Sequence, residues 1–231
     1  MRKAGVNFAK RLQVWDGFGV NYVETCQTRD YDAVPQDYGG FGILSEADRQ
    51  AIVDLIFGPD GLKPGVVKMF LDPFHQAEPG PGYRWDPDVL DMSAYDHAKT
   101  THWMRYFVRE GLARTRARGD GLQIIVTLYG PPGWMTTQRF VRGRDLDLAL
   151  KHECAKYLIS WAKSLREAEG LPVRYVSLHN EGEDWVRWPL DGSTDGELSH
   201  DYNMYWPPEQ VVDFVRFMRP MLDNQDLRDV G

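Results

Sequence analysis

The residues best suited to chemistry are an adjacent amide and carboxyl group, Asn180 and Glu181. Residues 173–181, which carry this pair at their carboxyl end, are rich in Val, Tyr and Leu, follow Gly170 and Pro172, and predict a short buried strand. In parallel α/β sheets and barrels, chemistry takes place at the carboxyl ends of the strands. A carboxyl group enclosed by apolar walls there can stay protonated near neutral pH and donate a proton. A structural role is the alternative, in which Glu181 pairs with an Arg and Asn180 caps the next turn.

Four strand-like segments alternate with four segments of helical periodicity, and together they must position this pair. The predicted strands are residues 17–25, 66–71, 122–128 and 173–181, and the predicted helices begin near Ser45, Ser93, Asp145 or Asp147, and Pro207. Strands alternating with helices form right-handed parallel crossover units, as in a doubly wound sheet or a (β/α)8 barrel. Because no Gly-rich turn follows the first strand and no phosphate-binding loop occurs, a doubly wound nucleotide-binding fold is disfavoured. Residues 1–15 predict a peripheral strand segment.

Composition excludes several classes of protein. The chain has 231 residues, 42% of them hydrophobic and 26% charged, with a formal net charge of −7. That charge disfavours nucleic acid as a partner, and no run approaches the roughly 18 apolar residues of a membrane span. Only two cysteines occur, Cys26 and Cys154, so no disulfide framework is expected, and neither has metal-ligand spacing to other Cys or His residues. No metal and no cofactor are expected. The N-terminus lacks the apolar core of a signal peptide.

Each predicted strand is followed by side chains suited to a neutral polyhydroxyl ligand. Carboxylates and amides hydrogen-bond sugar hydroxyls, and Trp and Tyr rings cover the apolar side of a pyranose ring. The candidates at the four strand ends are Glu24, Asp72, His75, Tyr129, Trp134, Asn180 and Glu181. Any one of them could instead form a turn or belong to the core. Their recurrence at all four strand ends favours a carbohydrate as the partner.

The long loop after the fourth strand, residues 182–206, is unusually rich in aromatic side chains, including Trp185 and Trp188. Connections of this length are often lids or binding loops. We therefore expect Trp185 to contact sugar. The alternative is a surface loop that packs against itself.

Three motifs together resemble glycoside hydrolase family 30 (GH30): Gly17-Phe18-Gly19, Pro131-Pro132-Gly133-Trp134-Met135, and Asn180-Glu181. The resemblance extends over nearly the whole chain. It implies an α/β fold, the (β/α)8 TIM barrel, and a retaining O-glycosidase acting on a β-linked oligo- or polysaccharide or a glycoconjugate. It also implies that Glu181 is the general acid/base, that Asn180 contacts the hydroxyl beside the reacting carbon, and that Trp134 walls the −1 sugar site.

The second catalytic carboxyl of such an enzyme is not at its expected place in this sequence. A retaining glycosidase needs two carboxyl groups about 5–5.5 Å apart, and in the resembled family the nucleophile Glu follows strand seven. A full barrel takes about 250 residues. We therefore expect residues 16–231 to cover strands 1–4 and helices 1–4, with the nucleophile beyond the end of the chain.

Two consequences follow for the chain by itself. It is expected to be inactive alone and to self-associate through the open edges of its first and fourth strands. The alternative function is a non-catalytic carbohydrate-binding module or pseudoenzyme, which would keep the sugar-lined strand ends without the nucleophile.

Overall fold

Four parallel strands alternate with four α-helices in the computed structural model, which describes residues 5, 7, 9–10, 17–22, 40–79, 86, 89–141, 143–181 and 202–231. The strands are β1 (Gly19–Tyr22), β2 (Val66–Leu71), β3 (Gln123–Leu128) and β4 (Val173–Ser177). The helices are α1 (Glu46–Phe57), α2 (His102–Ala117), α3 (Lys151–Glu167) and α4 (Pro208–Asn224). The predicted alternation is confirmed.

The strands lie in one sheet in the order β1-β2-β3-β4, with every neighbouring pair parallel. Leu71 of β2 pairs with Leu128 of β3, and Thr127 of β3 pairs with Ser177 of β4. The carboxyl ends of these three strands therefore lie side by side. Side chains that follow the strands are brought to one edge of the sheet.

The hydrophobic core lies between the helices and one face of the sheet. Because strand side chains alternate between faces, every second residue of β2 and β3 enters this core. These residues are Val67, Met69, Leu71, Ile124, Val126 and Leu128. They share the core with Phe57 of α1, Met104 of α2 and Trp161 of α3, all fully buried. Burial stabilises the fold by about 1.5–3 kcal/mol for each large aliphatic or aromatic side chain.

The first and fourth helices begin where the sequence predicts. The hydroxyl of Ser45 accepts a hydrogen bond from the backbone N–H of Asp48 at 3.2 Å, which caps α1. Helix α4 starts at Pro208, where the missing N–H costs no intrahelical bond.

The second helix begins later than predicted. Only a single 3-10 turn, Met92–Ala94, forms near Ser93, because the carboxylate of Asp91 accepts the N–H of Ser93 at 3.0 Å and closes a short local turn. Helix α2 then begins at His102, directly after Thr101, whose φ of 63° is left-handed and not helical.

The third helix is likewise preceded by a 3-10 turn, Leu148–Leu150, before α3 begins at Lys151. Asp147, one of the two residues predicted to start the helix, caps that turn by accepting the N–H of Ala149 at 3.0 Å.

The last residue of the chain extends the sheet beyond β4. Gly231 donates its N–H to the carbonyl of Arg174 at 2.9 Å and accepts the N–H of Val176 at 3.0 Å, which is the bonding pattern of a parallel neighbour. The outer edge of β4, expected to be unpaired, is therefore partly covered.

The peripheral strand predicted for residues 1–15 lies mostly outside the described residues. None of the helices in the described part of the chain is long and apolar enough to cross a lipid bilayer.

Candidate active site

The Asn180–Glu181 pair follows β4 at the carboxyl edge of the sheet, as predicted. Val176 and Leu178 pack against the core, whereas Glu181 is exposed and no apolar walls formed by the described residues enclose it. The hydroxyl of Ser177 donates to the carbonyl of His179 at 3.0 Å and shapes the turn that leads to the pair. Asn180 and Glu181 are thus held at the end of an ordered strand, with the carboxylate reaching solvent.

A lysine from the middle of β2 reaches the amide of the pair. The Nζ atom of Lys68 donates to the Oδ1 atom of Asn180 at 2.6 Å and lies 4.7 Å from the centre of the Phe70 ring. Burial lowers the pKa of Lys68, and the negative charge of Glu181 opposes that effect. The side chain of Lys68 thus reaches from β2 to the residues that follow β4.

An asparagine beyond the long loop reaches the carboxylate. The Nδ2 atom of Asn203 lies 3.4 Å from the Oε2 atom of Glu181, a long hydrogen bond, and the asparagine is only 2% exposed. Asn203 therefore contacts the carboxyl group of Glu181 from the far side of the long loop.

Residues 202–206, which include Asn203, lie against the residues that follow β3 and β4. The Tyr202 ring meets the rings of Tyr129 and Phe74 edge-on, each at a centroid distance of 5.6 Å. A Cβ atom on Gly130 would lie 2.2 Å from the carbonyl oxygen of Tyr202, so only glycine permits this approach. This packing fixes the position from which Asn203 reaches the site.

The predicted site residue Tyr129 is part of this packing. Its ring is 6% exposed and contacts Phe70 at 5.1 Å as well as Tyr202. The Phe70 ring beneath the Lys68 ammonium therefore belongs to the same aromatic cluster.

Trp134 lies in the 3-10 turn Gly133–Met135 that follows β3. It is half-buried and packs against the core, and its indole N–H points to the carbonyl of Gln76 at 3.4 Å. The turn is tight, since a Cβ atom on Gly133 would lie 2.6 Å from the backbone nitrogen of Val141. The tryptophan thus links the loop after β3 to the loop after β2.

Asp72 and His75, predicted to bind sugar, are fully buried. The carboxylate of Asp72 accepts the N–H of Phe74 at 2.9 Å and the hydroxyl of Thr100 at 2.7 Å. The Nε2 atom of His75 lies 2.7 Å from the same hydroxyl oxygen. Neither side chain is open to a ligand in this structure, and both stabilise the loop after β2.

A second histidine continues this network toward α3. The hydroxyl of Ser160 donates to the carbonyl of Tyr157 at 2.8 Å, so it accepts a hydrogen bond from the Nε2 atom of His97 at 3.0 Å. The Nδ1 atoms of His97 and His75 are 2.8 Å apart. Burial, followed by the nearby charges of His75 and Arg105, lowers the pKa of His97 to about 2. A neutral His97 must therefore accept from His75.

Two predicted substrate-binding residues, Glu24 and Trp185, lie outside the described residues. Within the described residues, no three metal-ligating side chains come together in a group that could hold an ion.

No protein-family model and no curated protein matches the sequence. SrfJ from Salmonella typhimurium has a similar structure, with a TM-score of 0.67 at 17% identity over 95% of this chain and 43% of that chain. A conserved exported protein from Bacteroides fragilis matches with a TM-score of 0.67 at 14% identity, over 97% and 44% of the two chains. The catalytic domain of GH30 xylanase C from Talaromyces cellulolyticus matches with a TM-score of 0.59 at 15% identity, over 94% and 45%.

The chain has a partial GH30-like fold. It spans less than half of the length of these solved structures. The GH30 resemblance and the expected barrel architecture are confirmed at the level of the fold, with four parallel strands and their helices corresponding to about half of a barrel.

The GH30-like half-barrel brings two unpredicted residues to the pair, Lys68 and Asn203. The lysine could have been identified from the sequence, because it is the single charged residue in the apolar strand Val66–Leu71. A charged side chain in such a strand is unusual and is normally paired with a polar or charged group. Asn203 could not be identified in this way, since its contact with Glu181 depends on how the chain returns after the long loop.

Proposed function

We propose that this chain supplies about half of the barrel of a retaining O-glycosidase that acts on a β-linked oligo- or polysaccharide or a glycoconjugate. The observation that carries the proposal is the Asn180–Glu181 pair at the carboxyl end of β4 in a GH30-like partial barrel. The GH30 relative of similar structure is described as a xylanase, which agrees with a β-linked polysaccharide as substrate.

In the proposed reaction, Glu181 is the general acid/base. Its carboxyl group protonates the glycosidic oxygen as the bond to the leaving group breaks, and the resulting carboxylate later removes a proton from the attacking water. Exposure of Glu181 allows it to reach a ligand, and the Nδ2 atom of Asn203 lies 3.4 Å from its carboxylate. Asn180 would hydrogen-bond the hydroxyl beside the reacting carbon.

The nucleophile must come from outside the described residues. It has to lie about 5–5.5 Å from the acid/base carboxyl in a retaining enzyme. Asp72, the carboxylate that follows β2, is enclosed and occupied by two hydrogen bonds, so it does not suit this role.

The remaining predicted residues divide into two groups. We propose that Trp134, Trp185 and Glu24 contact the substrate, the two tryptophans through their ring faces. Tyr129, Asp72 and His75 are proposed to act indirectly, because their burial suits residues that support the strand-end loops.

A second candidate function is sugar binding without hydrolysis. This alternative is favoured by the burial of Asp72. Of the two predicted carboxyl groups that follow described strands, Asp72 and Glu181, Glu181 is then the one that a ligand can reach. Saturable binding of an oligosaccharide without any turnover, by a protein that contains the complete barrel, would favour this alternative.

The proposal is tested with Glu181→Gln in the complete barrel enzyme, using aryl glycosides that differ in leaving-group acidity. Without the general acid, glycosides of poor leaving groups should lose about 10²–10⁴-fold in kcat/KM. Activated aryl glycosides should lose far less in the glycosylation step, because their departure needs little protonation. Glu167→Gln, on the exposed side of α3, is the matched control and should leave kcat/KM unchanged for both classes of substrate. Equal losses on both substrate classes would refute the assignment.

A further inference from the structure

Lys68 lies on the face of the sheet that is turned away from the helices. Its neighbours in β2, Val67 and Met69, are fully buried in the core, so strand alternation directs the lysine to the opposite face. Partial removal of an ammonium group from water is unfavourable, and burial accordingly lowers the pKa of Lys68. A charge held at such a cost in a strand interior needs specific partners.

Two contacts hold the ammonium group. The Oδ1 atom of Asn180 accepts a hydrogen bond from Nζ at 2.6 Å, and the face of the Phe70 ring lies 4.7 Å away. Phe70 is itself 3% exposed and fixed by the aromatic cluster around Tyr129. The lysine is thus anchored to a rigid part of the sheet at the end that contacts Asn180.

The hydrogen bond determines how the Asn180 amide is turned. An ammonium group has three donors and no acceptor, so the atom of Asn180 that it contacts must be the carbonyl oxygen. The Nδ2 group, with its two N–H donors, then faces away from Lys68. An unconstrained asparagine amide could adopt either orientation, because its two ends have nearly the same shape.

We propose that Lys68 is a positioning residue that fixes the Asn180 amide so that its N–H groups are presented to a hydroxyl oxygen of a bound sugar. This inference rests on the proposed function of the site. It predicts that the site discriminates strongly between a sugar that carries the hydroxyl beside the reacting carbon and one that lacks it. Loss of Lys68 would let the amide turn over and weaken that discrimination.

The coupling between Lys68 and Asn180 can be measured without any activity, by NMR of the Asn180 side-chain amide during a pH titration. The amide resonances should shift with a midpoint below 10.5, the ordinary pKa of lysine, because the ammonium loses its proton there. Lys68→Met should abolish this step. Lys163→Met is the matched control, since Lys163 pairs with Glu167 on α3, and it should retain the step. Absence of the step in the unmodified protein would overturn the proposal.

Kinetics of the complete barrel enzyme test the consequence for the sugar. The probes are an aryl β-glycoside and its counterpart that lacks the hydroxyl beside the reacting carbon. The ratio of their kcat/KM values should fall at least about tenfold in Lys68→Met and be partly restored in Lys68→Arg. An unchanged ratio with an intact NMR step would overturn the role in sugar recognition. If the unmodified enzyme hydrolyses neither probe, the proposed function fails while the titration still decides the Lys68–Asn180 coupling.

Discussion

The buried histidine network makes the stability of the fold depend on pH. His97 is 8% exposed and bonded at both ring nitrogens, to His75 and to Ser160. Because burial lowers its pKa to about 2, the folded protein keeps His97 neutral at pH values where the unfolded chain, with a pKa of 6.5, is protonated. Protons therefore bind the unfolded state preferentially between these two values, and stability falls as the pH drops from about 6.5 toward 2.

We expect urea midpoints to decrease between pH 7.5 and pH 5.5, a window in which ordinary carboxylates hardly titrate. His97→Phe should lower stability by about 1–3 kcal/mol at neutral pH, because it removes a buried hydrogen-bond partner. It should also flatten the pH dependence. Ser160→Ala is the control that loses one of these hydrogen bonds, the one between His97 and Ser160, but keeps the histidine. The slope of its stability against pH should therefore match that of the unmodified protein. If stability depended on pH as steeply in His97→Phe as in the unmodified protein, this account would be contradicted.

Residue types predicted the candidate pair, but not the groups that hold it. Asn180 and Glu181 could be chosen because they directly follow an apolar strand, which is a local property of the sequence. The contacts of Lys68 and Asn203 join residues far apart in the chain, and their geometry depends on register and loop path. Asp72 and His75 have suitable chemistry for sugar binding, but only the packing of Thr100 and α3 reveals their burial.

Among the elements, α1 and α2 pack unusually closely at one glycine. A Cβ atom added to Gly111 of α2 would lie 2.6 Å from the ring of Phe57, the last residue of α1. That ring is fully buried and cannot move aside easily. Steric conflict should therefore exceed the benefit of about 1 kcal/mol that alanine gains over glycine from helix propensity.

We accordingly expect Gly111→Ala to destabilise the protein by about 1 kcal/mol or more, measured as a lower urea midpoint with an unchanged slope. Gly121→Ala provides the control, since a Cβ atom there meets nothing within 4 Å. A Gly111→Ala variant as stable as the control would show that the helices can separate at no cost.

The strands β2 and β3 and two helix starts were predicted well because their signals are local, whereas β4 was predicted to run to Glu181 and ends at Ser177. The limits of β2 were predicted to the residue, and Ser45 and Pro208 mark helix starts through capping and proline geometry. The start of α2 was wrong because the Asp91 turn competes with the helix, and Thr101 adopts a left-handed conformation that its residue type does not favour. Periodicity alone does not reveal such competition.

At the scale of the whole molecule, the sheet has two edges. Within the described residues no strand pairs with the outer side of β1, and β4 is continued only by Gly231. The groove of about 250 Å³ between β4 and α4 is lined mainly by apolar side chains, including Val176 and Val215. Open edges and apolar grooves of this kind favour association with another chain.

We predict that residues 1–231 alone form dimers or larger aggregates, with a mass in light scattering that rises with concentration. Phe18, which is 78% exposed beside β1, should contribute to this association. Phe18→Lys should therefore lower the apparent mass. Leu55→Lys, at a similarly exposed site on α1, should not. A cooperatively folding monomer at all concentrations would contradict the prediction.

The most direct test of the central claim is the product that Glu181→Gln forms with an activated aryl β-glycoside in the presence of azide, in the complete barrel enzyme. If Glu181 is the acid/base of a retaining glycosidase, azide replaces the base-activated water and attacks the covalent glycosyl-enzyme. Proton NMR should then identify a glycosyl azide with the anomeric configuration of the substrate, formed faster as the azide concentration rises. An inverted azide product, or hydrolysis that azide neither accelerates nor diverts, would contradict the assignment.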